Sequence, residues 1–213
     1  MASHLIRFRC AQCGKEHEAR IYDGVDVSKE PQFRSKVMDA SIFDFVCPSC
    51  GAVTGMLYPF LYHDPKNRFM VQLTDRNSES DPFTALFDSG NESDQAMKQV
   101  VEDMKSRYRF RTVATPNDLM EKIAVFEAGL DDRVLEVIKQ GVMAADTQGT
   151  IVHLYFAPTD QGPVFLVEDA DGFHRHFVLD LKLYEELSAG LQFSDSETRI
   201  DEAWARNYLK TEA

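Results

Sequence analysis

Residues 7–18 read RFRCAQCGKEHE and residues 43–55 read FDFVCPSCGAVTG. Each stretch places two cysteines three positions apart and follows the second with glycine. These are Cys10, Cys13 and Gly14, then Cys47, Cys50 and Gly51. A Cys-x-x-Cys turn lets two sulfurs converge on one ion. The glycine can adopt positive φ, which folds the chain back so that backbone N–H groups approach the sulfurs. Two such knuckles predict a closed S4 site on Cys10, Cys13, Cys47 and Cys50, with Zn–S of about 2.3 Å. One structural Zn²⁺ per chain is the expected occupant, and iron in a rubredoxin-like site is its rival. Four thiolates leave no open position for water, so the site should not hydrolyse anything.

The separation of the knuckles exceeds the roughly 15–20 residues common in zinc ribbons, which implies an insertion between them. The four cysteines are the only ones in 213 residues. In a reducing compartment paired CxxC arrangements read as metal ligands rather than disulfides. The N-terminus lacks a secretory apolar stretch, and no apolar run reaches membrane-spanning length. The expectation is a cytoplasmic protein.

The net charge of −12 is unevenly distributed. Residues 1–80 carry ten Lys/Arg and ten Asp/Glu, whereas residues 81–213 carry 13 against 25 and hold the whole excess. An acidic second half repels phosphate backbones over a Debye length of ~8–10 Å, so nucleic acid is a poor partner for it.

Alternation in HLIRFR predicts a strand before the first knuckle. The insertion offers a short helix, with Ser28 as cap, Glu30-Pro31 in its first turn, and Phe33, Val37 and Met38 on its apolar side. SIFDFVC, AVTGMLYPF and RFMVQLT read as strands, with HDPKN a turn around Pro65. Together they suggest a small antiparallel sheet with the metal at one end. A polar segment follows, with Phe83, Leu86 and Phe87 as a docking turn. Met97, Val100, Val101 and Met104 then predict a helix over 94–107, capped by Ser93 or Asp94. RYRFRTV reads as a strand with Arg107, Arg109 and Arg111 on one face. TPNDLMEKIAVFEAGLDDRVLEVIKQG reads as two helices: Thr115 caps the first, Gly129 stops it, and Asp131 or Asp132 starts the second. A three-stranded meander follows, with Asp171-Gly172 as a hairpin signal, and two helices near 180–189 and 197–210 end the chain. The fold class is α+β, in two parts. Residues 1–128 form a zinc-ribbon-like antiparallel β domain with packed helices, and residues 129–213 a smaller α/β part.

CAQCG, CPSCG and the run YPFLYHDPKNRFMVQL together resemble the bacterial and archaeal CpXC domain family. The resemblance covers about Leu5 to residue 128, and FRTVATPNDLMEKIAVFEAGLDDRVLEVIK also looks like family members. Ala11 departs from the pattern at the place where the second knuckle has Pro48, but the ligands are intact. The resemblance implies Cys10, Cys13, Cys47 and Cys50 as metal ligands and supplies a fold expectation. It implies no reaction.

Other constellations have plainer readings beside the chemical ones. His63-Asp64 looks like a dyad, but Pro65-Lys66-Asn67 makes it a turn in which Asp64 bonds its own backbone. His153, His174 and His176 could form an open metal site, or a solvent face opposite Phe173 and Phe177. EDADG lacks the remaining ligands of a calcium loop and reads as a hairpin. Arg107, Arg109 and Arg111 with Tyr108 and Phe110 could bind a single strand of nucleic acid, or guard a sheet edge. The reading favoured is a non-enzymatic zinc protein that binds another protein. The alternatives are a nucleic-acid-associated zinc ribbon and an enzyme with its site in the C-terminal half.

Overall fold

The computed structural model describes residues 2–75, 81–88, 95–194 and 197–211. It is an α+β protein with several antiparallel sheets and seven α-helices among the described residues. Two compact units divide the chain, Met1–Met120 and Glu121–Ala213.

In the first unit, β1 (Ser3–Arg9) and β2 (Glu16–Tyr22) form an antiparallel hairpin. Strand alternation sorts their faces. Ile6 and Phe8 stand opposite Ala19 and His17, whereas Arg7 and Arg9 stand opposite Glu18 and Glu16. Then come β3 (Gly24–Asp26), α1 (Gln32–Met38), a 3₁₀ turn (Ser41–Phe43), β4 (Asp44–Val46) and β5 (Val53–Gly55). Ser28 does not cap α1; its N–H and hydroxyl both donate to Asp26 Oδ1. Pro31 occupies the N-cap position instead. β4 and β5 form a second antiparallel hairpin. Each of the two hairpins carries one cysteine knuckle.

The stretch expected as one strand, AVTGMLYPF, is divided. Its first part is β5, residues 56–59 are irregular, and β6 (Phe60–Asp64) joins a different sheet. Pro59 has no N–H to give a ladder, which suits the break. β6 pairs antiparallel with β7 (Phe69–Leu73), and the turn between them is the HDPKN segment. Phe60, Tyr62, Phe69, Val71 and Leu73 of this pair are fully buried and stand at period two, as the sequence alternation requires.

The four-stranded sheet is ordered β3-β6-β7-β8, with β8 at Arg109–Val113. It is mixed rather than antiparallel: β3 runs parallel to β6, and β7 parallel to β8. Parallel neighbours require long crossovers. The first crossover contains α1 and the second knuckle hairpin. The second contains α2 (Pro82–Asp88) and α3 (Gln95–Arg107). The knuckles therefore lie on hairpins outside this sheet, which corrects the expectation of a single antiparallel sheet ending in the metal.

Phe83 of α2, expected as part of a docking turn, is buried with Met70 and Phe110, and Phe87 and Met104 pack against them. The proposed cap at Ser93 or Asp94 lies outside the described residues, as do the side chains of Leu86 and Met97.

Gly24 sits where β3 passes closest to β6. A Cβ there would meet the Leu61 carbonyl oxygen at 2.5 Å and Leu61 Cβ at 2.9 Å. Replacing Gly24 with Ala should therefore strain the parallel pair. We expect a loss of about 1–3 kcal/mol, read as a lower midpoint in urea denaturation.

α4 (Pro116–Glu127) spans the division between the units and is capped as expected, Thr115 Oγ1 accepting from Asp118 N at 3.1 Å. In the second unit, Gly129 takes φ +74° and Asp131 caps α5 (Asp132–Ala145) by accepting from Arg133 N. β9 (His153–Ala157), β10 (Val164–Asp169) and β11 (Gly172–Val178) make the antiparallel meander, with the Asp171-Gly172 turn between the last two. α6 (Leu181–Gly190) and α7 (Glu202–Thr211) both pack on α5. No helix among the described residues is long and apolar enough to cross a membrane.

Candidate metal centre

The two knuckles have the same backbone geometry. Gly14 N donates to Cys10 O at 2.9 Å and Cys10 N to Lys15 O at 2.9 Å. Gly51 N donates to Cys47 O at 2.8 Å and Cys47 N to Ala52 O at 2.8 Å. Gly14 and Gly51 take φ of +70° and +74°, the left-handed conformation that makes glycine the economical residue at both places. Ala11 and Pro48 thus occupy equivalent turns, and the lack of proline in the first does not alter its bonds.

The four sulfurs converge, all within 4.8 Å of one another. Cys10 Sγ lies 3.8 Å from Cys50 Sγ, and Cys13 Sγ lies 3.7 Å from Cys47 Sγ. A tetrahedron of sulfurs about 2.3 Å from a central ion has edges of about 3.8 Å. Both cross-knuckle distances fit that value, so the donor set suits a tetrahedral thiolate metal ion. Among the described residues this is the one cluster of three or more His, Cys, Asp or Glu ligand atoms gathered so closely. Cys10 and Cys47 are buried, Cys13 is partly exposed and Cys50 is exposed.

The thiols are electrostatically unequal. The Cys13 N–H, helped by that of Gln12, holds the Cys10 thiol down to about 7 despite its burial. At Cys50 the Ala52 N–H pulls downward, but desolvation and the three neighbouring thiols push it up to about 12. Crowded sulfurs without a cation cannot all ionise together, and a bound dication relieves that repulsion.

One neighbour of the centre escapes a sequence reading. His17 Nε2 lies 3.3 Å from Cys47 Sγ. The alternation of β2 puts His17 on the face with Ala19 and Ile21, but nothing in the sequence says that this face meets the second knuckle.

The remaining constellations separate. Asp64 accepts from Asn67 N at 3.0 Å and Asn67 Nδ2 at 2.7 Å, which makes it a turn residue. His63 instead faces Asp26, with Nδ1 3.8 Å from its carboxylate. Burial holds the His63 imidazole below its ordinary value, against the pull of Asp26 and Asp64. Asp26 itself is held at about 2, chiefly by the Ser28 hydroxyl.

The three C-terminal histidines do not meet in a metal-ligating cluster. His153 aligns with Glu168 and Phe173, and His176 with Leu166 and Tyr155. A bulge between Val167 and Glu168 offsets His174, whose Nε2 bonds the Asp171 carbonyl at 2.6 Å. EDADG is the hairpin turn, with Asp171 N donating to Asp169.

The three arginines do not share one strand face. Arg107 ends α3 and pairs with Asp103 at 3.0 Å, Arg109 is half-buried, and Arg111 is buried, donating to the Phe110 carbonyl. Phe110 is buried too.

Fold and centre together define a two-knuckle, four-cysteine α+β protein. The chain belongs to the CpXC family: the family model, described as CpXC protein, matches residues 8–139, more than half of the chain. No curated protein and no solved structure matches it.

Proposed function

We propose that the chain is a zinc-binding protein. Cys10, Cys13, Cys47 and Cys50 hold one structural Zn²⁺, and the protein acts without catalysis as a docking module for another protein. The observation that carries this reading is the convergence of four sulfurs within 4.8 Å of one another, with two cross-knuckle pairs at 3.8 and 3.7 Å and two of the four buried. Four thiolates fill a structural zinc site and leave no position for a substrate or water. The ion would fix β1–β2 to β4–β5, two hairpins too short to be stable alone.

The second hairpin supports the binding role. Val46 and Val53 stand opposite each other across β4–β5 at 60% and 62% exposure, and Leu57 follows at 60%. Such an apolar group on a metal-fixed hairpin is suited to a protein partner.

Elemental analysis of the purified protein tests the metal: one zinc per chain is expected, and stoichiometric iron or none would contradict the reading. Val46→Asp with Val53→Asp should leave the zinc in place but abolish recovery of proteins captured by the wild type. Unchanged capture would remove the binding role from this hairpin.

A further inference from the structure

The centre is asymmetric in a way that the four cysteines alone do not explain. His17, on β2, reaches from the first hairpin to a sulfur of the second knuckle, with Nε2 3.3 Å from Cys47 Sγ. Its ring is held in place. Phe8, opposite it in register, packs edge-to-face on Phe45 with centroids 4.2 Å apart, and the His17 ring lies 6.2 Å from each. Phe45 is two residues before Cys47, so the same aromatic contact that joins the hairpins aims the imidazole at that sulfur.

A metal-bound cysteine is a thiolate and can only accept. An imidazole nitrogen at hydrogen-bond distance must then be the protonated one. Four thiolates and a divalent ion sum to −2, and N–H donors offset that excess where the sulfurs are buried.

We propose that His17 is a positioning residue of the metal centre. Its Nε2–H donates to the Cys47 thiolate, orienting that sulfur and slowing escape of the ion. The proposal rests on the zinc reading above. Removal of an outer partner of a metal ligand weakens metal binding about 10- to 100-fold. His17 is thus a functional residue outside the Cys-x-x-Cys pattern.

The test uses the full chain loaded with zinc and, separately, with Co²⁺. His17→Phe keeps an aromatic ring beside Phe8 and Phe45 but has no donor; His17→Gln restores a side-chain N–H. The Phe variant should release zinc to a chelator about 10- to 100-fold faster than wild type. Its Co²⁺ form should show the sulfur-to-metal charge-transfer band moved to lower energy, because the undonated thiolate gives up charge more readily. Gln should move both readouts back toward wild type. If Phe does not fold, His17→Leu supplies the same comparison. Release at the wild-type rate with an unmoved band, in whichever donor-free variant folds, would overturn the role of His17. Failure of the wild type itself to give a tetrahedral thiolate Co²⁺ spectrum would instead overturn the metal reading beneath it.

Discussion

Replacing Lys139 with methionine should destabilise the second unit by about 3–5 kcal/mol, because it leaves buried Glu121 without its ion-pair partner and Glu136 with Lys122 alone. Lys139 Nζ lies 2.6 Å from Glu121 and 2.9 Å from Glu136. Lys122 Nζ lies 3.0 Å from Asp132 and 3.2 Å from Glu136. Glu121 also accepts the Phe156 N–H of β9. All five ionisable side chains are at most 7% exposed. The cluster ties α4 to α5 and α4 to β9, and it fixes their register through donors and acceptors that have no solvent to fall back on. Typical domain stability is about 5–15 kcal/mol, so the expected loss is a large share of it. Lys182→Met is the contrast. Its side chain is 84% exposed and 3.8 Å from Glu186, so its loss should cost under about 1 kcal/mol. Urea denaturation of both variants reads the difference, and equal midpoints would contradict it.

The same cluster sets a pH dependence. Burial alone would lower the lysines. At Lys139, Glu121 and Glu136 overcome that and raise it; at Lys122, Asp132 with Glu136 does the same. A raised lysine stabilises fully below its unfolded value of 10.5, and the contribution is lost as pH rises through the folded value. Both lysines act in the same direction, so stability should fall steeply on the alkaline side. On the acid side two glutamates oppose each other. Burial raises Glu121, whose contribution is full below 4.5 and declines as pH rises through its folded value. Glu136 is lowered by Lys139 and Lys122 against burial, so its contribution is full above 4.5 and declines as pH falls. Stability should therefore fall as pH rises above 10.5, and Lys139→Met should flatten that alkaline limb.

Local chemistry was legible in the sequence wherever one segment decides its own shape. The two knuckles, the turn at Asp64–Asn67, the Thr115 cap, a helix start at Asp131 or Asp132, the Gly129 stop and the Asp171-Gly172 hairpin are each written within a few residues. What escaped depends on pairings across the chain. Gly24–Asp26 is too short to announce itself, and its parallel alignment with Leu61–His63 exists only once the intervening crossover folds. RYRFRTV alternates, but alternation does not say whether the basic face meets water, and Arg111 is buried. Glu121, Lys122, Asp132, Glu136 and Lys139 stand at ordinary helical spacings, which read equally well as solvated helix surface. His17 has no CxxC spacing to mark it. The sequence therefore shows the candidate ligands but not the imidazole that lies 3.3 Å from one of their sulfurs.

On the zinc reading proposed above, removing the metal should have the largest effect on the first unit, since structural zinc in small domains contributes of order 10–16 kcal/mol of binding energy that is also folding energy. Without the ion, β1–β2 and β4–β5 are joined near the cysteines by the Phe8–Phe45 contact and by His17 against Phe45 and Cys47. A strong chelator should expose the aromatic residues of these hairpins and lower the urea midpoint of the first unit, while the ion-locked second unit keeps its own. Ligand substitutions should rank by burial. Cys47→Ser removes a buried sulfur together with its His17 contact, and should lose zinc at chelator concentrations that Cys50→Ser still resists, because an exposed position can take a water in place of its sulfur. Metal content after dialysis against graded chelator gives the order directly. If Cys50→Ser were the weaker binder, the ion would be held from the solvent side, and the buried pair Cys10 and Cys47 would be a packing feature rather than the anchor of the centre.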